Sequence, residues 1–173
     1  AWVNSKAIPN NTRIFDFGYD TASWMAFVPY YGGDKIRYKI SYGGNSAEII
    51  GTYTLPLNQW VHLALVQSGD FCKIYADGVE IASGTVMLKP SGLGKTTANY
   101  LIKSQWPGDP YLNASMDEFI IYNRALNAAE INAIAKGDIT LDVDDFSKTT
   151  NPLVLVRAFP NPTSGPVDID FPI

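Results

Sequence analysis

The chain is poor in the residues that would mark several common classes. It has one cysteine, Cys72, so an internal disulfide is excluded and a disulfide-stapled scaffold with it. A lone cysteine does not fix the compartment. Charge is sparse: Asp, Glu, Lys and Arg make up 17% of 173 residues, with a formal net charge of −4. Phosphate backbones call for clustered Lys and Arg, and no basic stripe is present, which excludes nucleic acid as a partner. No apolar run approaches the roughly 18–20 residues of a membrane span. Histidine occurs once, at His62. A Ser/His/Asp hydrolase needs a nucleophile and an orienting acid around such a residue, and no motif supplies them.

What remains is rich in apolar and aromatic residues, 46% and 13%, with ten Tyr and four Trp. That composition builds one domain with a real core, and its aromatics favour strands. Residues 35–42 alternate, with Ile36, Tyr38, Ile40 and Tyr42 on one face and Lys35, Arg37, Lys39 and Ser41 on the other. A period of two is the mark of a half-buried strand. Further strand runs lie at residues 13–17, 22–28, 59–66, 71–76, 79–82, 98–103 and 115–122. Gly32-Gly33-Asp34 and Gly43-Gly44-Asn45 supply turns, and Asp77-Gly78 is a two-residue hairpin loop. Short strands with frequent turns predict an all-β antiparallel sandwich. One helix is predicted after Asn127, with Glu130 completing a capping box and Gly137 as the stop.

Residues 138–153 are acidic and polar and read as a linker. A calcium loop at Asp142-Val143-Asp144-Asp145 is the sharper alternative, but the spacing lacks the glycine and distal Glu of a known loop. Strand pattern returns at 154–173. Both ends, Ala1-Trp2-Val3 and Asp170-Phe171-Pro172-Ile173, fall in mid-pattern, as in a segment of a longer chain.

The series Gln59-Trp60-Val61-His62-Leu63-Ala64-Leu65-Val66, Ile74-Tyr75-Ala76-Asp77-Gly78-Val79-Glu80, Asp117-Glu118-Phe119-Ile120-Ile121-Tyr122-Asn123-Arg124-Ala125-Leu126 and Ala129-Glu130-Ile131 resembles laminin G-like domains of the concanavalin A-like lectin/glucanase superfamily. The resemblance spans residues 1–137. It implies a concanavalin A-like jelly roll, incomplete at its N-terminus because relatives carry two further strands before this point. It also implies a non-catalytic carbohydrate-binding accessory domain in a secreted bacterial enzyme, such as a glycoside hydrolase, or in a surface protein, with polysaccharide or oligosaccharide and neighbouring domains as partners. A structural or adhesive spacer without glycan affinity is the alternative, and a small glycoside hydrolase or lyase the third. Val156-Arg157-Ala158-Phe159-Pro160-Asn161-Pro162-Thr163-Ser164-Gly165 resembles the opening of type IX secretion sorting domains of Bacteroidetes, which implies export across the outer membrane.

Candidate sites follow from chemistry. Asp117 and Glu118 are adjacent in an expected strand, so they point to opposite faces and cannot be a glycosidase acid pair. Calcium requires several oxygen ligands. Asp117 matches an acidic position that faces structural calcium in relatives, and the loop carrying Gln105 and Asp109 resembles the pentraxin metal loop. Asp16 and Asp20 are further oxygen donors. Sugar stacking requires exposed rings beside polar groups. Trp106, in a Pro/Gly loop, is the first candidate, followed by Tyr30, Tyr31 and Tyr111. Trp24 and Trp60 lie within strand patterns and are expected in the core, as is Cys72.

Overall fold

A computed structural model of the protein describes residues 1–138; the predicted sorting segment and all of the linker but Asp138 lie outside the described residues. Ten strands come first: β1 (Trp2–Ala7), β2 (Phe15–Gly18), β3 (Trp24–Val28), β4 (Lys35–Tyr42), β5 (Asn45–Thr52), β6 (Trp60–Ser68), β7 (Phe71–Ala76), β8 (Val79–Thr85), β9 (Ala98–Leu101) and β10 (Asn113–Asp117). A 3-10 turn at Pro90–Leu93 precedes β9, and helix α1 (Ala128–Lys136) closes the described part. The strands form two five-stranded sheets, ordered β10-β1-β6-β7-β8 and β5-β4-β3-β2-β9.

Alternation dictates how the sheets stack. Val3, Val61, Leu63 and Ile74 of the first sheet meet Phe15, Phe17, Phe27, Ile36, Tyr38 and Ile40 of the second in one buried cluster. Cys72 is fully buried there, and burial pushes its thiol up to about 12, so it is an inert core residue. The Asp77-Gly78 loop is as predicted: Ala76 pairs with Val79, and Asp77 and Gly78 adopt φ of 48° and 80°. Asn127 and Glu130 form the predicted reciprocal capping box on α1, and Gly137 ends the helix in the left-handed region. Ile131 and Ile134 of α1 pack with Leu126 on Tyr75, Ala64 and Val66, on the outer face of the first sheet.

Several expectations need correction. Strand β5 has no counterpart in the sequence reading, because the adjacent pair Ile49-Ile50 breaks the alternation that would reveal it. Strand β10 stops at Asp117 and does not reach Tyr122; Glu118 takes a left-handed φ of 48°, which turns the chain out of the ladder. Trp60 is not core: it opens β6 opposite Asn4 and stays 48% exposed. Arg37 is not on a solvated face. It is only 8% exposed, because Tyr31 lies over it, although the β5 side of the same outer face of the second sheet, with Glu48 and Ile50, is open.

Candidate functional site

That outer face carries the polar chemistry. Register places Tyr100, Asp16, Ala26, Lys39 and Glu48 side by side across all five strands of the second sheet. Val28, Arg37 and Ile50 form the neighbouring row, and Gly18, Trp24 and Ser41 the row on the other side. Their odd-even partners fill the core, so these residues point away from it. Two loops fold over this face, residues 29–34 and 102–112.

The second loop is locked down by a buried polar cluster. Arg13, just before β2, is 4% exposed; its Nε donates to Asp16 Oδ2 at 3.2 Å and its Nη2 to Asp109 Oδ2 at 3.0 Å, while Nη1 donates to the Asn11 carbonyl. Asp16 is fully buried and also accepts from the Gln105 side-chain amide at 2.7 Å and from its backbone N–H at 3.3 Å. Burial pushes the Asp16 carboxyl above its ordinary range, against the pull of the Gln105 hydrogen bonds and of Arg13. Ser104 Oγ donates to Asp109 at 2.7 Å and accepts from the Trp106 N–H at 3.1 Å. Gly18 belongs to the same design: a Cβ there would collide with the Ser23 carbonyl and lie 2.8 Å from Gln105 Nε2.

Trp106 is therefore not a freely presented ring. It packs edge to face on buried Trp24, with Ala26 and Val28 beneath, and the Arg13 guanidinium lies 5.6 Å from its centroid. Trp24 is buried as expected, but on the outer face and not between the sheets. Its Nε1 donates to the Thr21 carbonyl at 3.1 Å.

The first loop supplies Tyr30 and Tyr31. Tyr30 is half-buried, and its hydroxyl accepts from the Gly33 N–H at 3.2 Å. Tyr31 is 37% exposed, with the Arg37 guanidinium 3.7 Å from its ring centroid. Arg37 Nη1 lies 3.6 Å from Glu48 Oε2, an ion pair longer than a hydrogen bond. Its Nε is buried with no hydrogen-bond partner. Burial lowers the Arg37 pKa, against the pull of Tyr31 and Glu48. Tyr111, at the far end of the second loop, is 66% exposed.

The proposed calcium ligands do not form one site. Asp16, Gln105 and Asp109 come together, but Asp117 sits in β10 of the other sheet, opposite Trp2, and accepts from the Glu118 N–H. Asp20 caps a tight turn through the Ala22 and Ser23 N–H groups. The cluster does not fit a calcium ion, because the guanidinium of Arg13 already bridges Asp16 and Asp109 as their cation. Among the described residues no group of three His, Cys, Asp or Glu converges as a metal site. His62 stands apart, tilted against Trp2 at 5.4 Å; burial lowers its pKa to about 4.

A cavity of about 660 Å³ lies elsewhere, beside β6 and the 118–126 segment, lined by Phe15, Phe17, Tyr38, Leu65, Phe119 and Ile121 among others. Its walls are mainly apolar, with Gln67, Thr96 and Asn123 among the polar residues that line it.

Sequence reasoning missed Arg13, Arg37, Lys39 and Glu48. For Arg37 and Lys39 the available signal was the alternation Lys35, Arg37, Lys39 along β4, which looks the same whether that face is wet or roofed by loops.

A sandwich of two antiparallel sheets with aromatic and charged side chains gathered on one outer face defines a lectin-like β-sandwich. Residues 1–132 match the Laminin_G_3 family, described as the concanavalin A-like lectin/glucanases superfamily, and the chain belongs to it. No curated protein matches the sequence at a significant level. Among solved structures, domain 4 of AbnA, a GH43 extracellular arabinanase from Geobacillus stearothermophilus determined with arabinotriose, has 23% identity and a TM-score of 0.63 over 78% of this chain and 63% of that one. A protein from Bacteroides ovatus whose name proposes carbohydrate binding has 17% identity and a TM-score of 0.53, over 76% of this chain and 38% of that one. These likenesses are to the fold. Among the described residues no helix is long and apolar enough to cross a membrane.

Proposed function

We propose that this chain is a non-catalytic carbohydrate-binding domain that holds a secreted polysaccharide-degrading enzyme or surface protein against its glycan, and that sugar is bound on the outer face of the second sheet. The observation that carries the reading is the pair of ring–guanidinium clusters there, Tyr31 with Arg37 and Trp106 with Arg13. Tyr31 lies over a guanidinium whose Nε donor is unused, and Trp106 adds a second partly exposed ring held in place by Arg13; pyranose and furanose rings require such an apolar face to stack on beside donors for their hydroxyls. The domain of similar fold that was solved with arabinotriose supports a short oligosaccharide as ligand. Catalysis is disfavoured because Asp16 and Asp109 are tied to Arg13, and Asp16 is fully buried with both oxygens engaged, so neither is poised across a cleft as a glycosidase acid pair must be. Tethering such a domain raises the local concentration of its neighbour on the polymer.

The chain spans 63% of the arabinanase domain's length, and the identity of the larger protein is part of the proposal. An extracellular or cell-surface location is supported by that neighbour's extracellular source and by the sorting-like segment at 156–165. Calorimetric titration with arabinotriose and a panel of plant and bacterial oligosaccharides tests the reading. Binding to at least one that is weakened in Tyr31→Ala is expected. Failure to bind any of them, in a chain whose melting curve is cooperative, leaves the spacer role standing instead.

A further inference from the structure

We propose that the sugar bound on this face carries a carboxylate, received by Arg37; the inference rests on the carbohydrate-binding reading and names its ligand class. Arg37 and Arg13 are both buried arginines on the same face, and they are treated differently. Arg13 is saturated by Asp16, Asp109 and the Asn11 carbonyl. Arg37 is 8% exposed and has the Tyr31 side chain as a hydrogen-bonding neighbour, yet its carboxylate partner Glu48 stays at 3.6 Å, and its Nε has no acceptor. Glu48 lies directly across from Lys39 in the ladder. A buried guanidinium with an Nε–H left without an acceptor is costly unless something supplies one.

The missing partner has a definite shape. The Nε edge of a guanidinium offers parallel N–H donors, which match the two oxygens of a carboxylate and not a single hydroxyl. A uronic acid residue supplies that carboxylate on a ring able to stack on Tyr31. Tyr31 now covers Arg37 and must shift for the ligand to enter. The Tyr31 N–H is held by the Lys35 carbonyl at 2.8 Å, so the movement is one of its side chain, and Gly32 and Gly33 beside it leave open space.

The test is calorimetric titration of the full chain with trigalacturonate and trimannuronate, each against its methyl ester. The acid of at least one pair is expected to bind about tenfold tighter than its ester, a preference that shrinks with added salt and falls below about threefold in Arg37→Gln. Lys73→Gln, which removes a charge on the other sheet, should leave the preference intact. If Arg37→Gln does not fold, Glu48→Gln decides: removal of the competing carboxylate should raise the preference, and an unchanged or lower one overturns the proposal. Equal binding of acid and ester, or a preference indifferent to Arg37→Gln, also overturns it while the carbohydrate-binding reading stands. Absence of binding by these ligands, by arabinotriose and by the rest of the oligosaccharide panel, in a chain that melts cooperatively, removes both.

Discussion

Trp24 and Trp106 meet edge to face on the outer side of the second sheet, ring centroids 5.0 Å apart at 88°. The contact makes Trp106 a structural residue as well as part of the candidate binding face. Trp106→Ala should therefore cost about 1–3 kcal/mol of stability even without ligand, from lost burial and the lost aromatic pair. Trp106→Phe should lose less than the alanine variant. Urea midpoints read both. An unchanged midpoint in the alanine variant would mean that the ring is a free platform after all.

The Arg13 cluster sets up a contrast between buried and exposed ion pairs. Arg13→Met leaves Asp16 fully buried without its guanidinium, and breaking such an arrangement costs about 3–5 kcal/mol. Arg124 forms two hydrogen bonds with Glu130 but stands in solvent, so Arg124→Met should cost less than about 1 kcal/mol. Chemical denaturation of the two variants side by side measures the difference. Equal losses would remove Arg13 as the pin of the 102–112 loop.

Because Arg13 already serves as the cation for Asp16 and Asp109, the fold has no need of a metal there. Melting temperatures in excess calcium and in excess chelator should agree, since a ligand bound only by the folded state would raise one above the other. A rise in melting temperature with calcium, lost on chelation and abolished in Asp109→Asn, would place a metal at this cluster and require that Arg13 move aside.

The sandwich was legible because the core side of the alternation is strict: Ile36, Tyr38 and Ile40 are all at 0–1% exposure. The hairpin at Asp77-Gly78 and the capped helix were legible because each depends on a few adjacent residues. The site was not, because its contacts are remote in sequence. Gln105 reaches Asp16 across 89 positions and Arg13 reaches Asp109 across 96. Alternation says that Arg37 and Lys39 leave the core, but not that loops 29–34 and 102–112 return to cover the face they point to. Tyr31 and Trp106 could be named as aromatics in turn-rich segments; that each would lean on an arginine could not.

The pH dependence of stability should carry the signature of His62. The ring is buried beside Trp2, its Nδ1 has no partner, and its pKa falls from the ordinary 6.5 to about 4. The unfolded chain therefore binds a proton between those values that the folded one refuses. Its contribution is fully present above pH 6.5 and is lost as the pH falls through 4, by at most about 3 kcal/mol. The raised carboxyl of Asp16 acts in the opposite sense. It remains in His62→Gln, so the difference between the two stability curves isolates the imidazole. The wild type should lose stability more steeply than His62→Gln between pH 6.5 and 4 in urea titrations at fixed salt. Parallel curves across that window would mean that the ring accepts its proton freely in the folded state, and that this end of β6 opens to water.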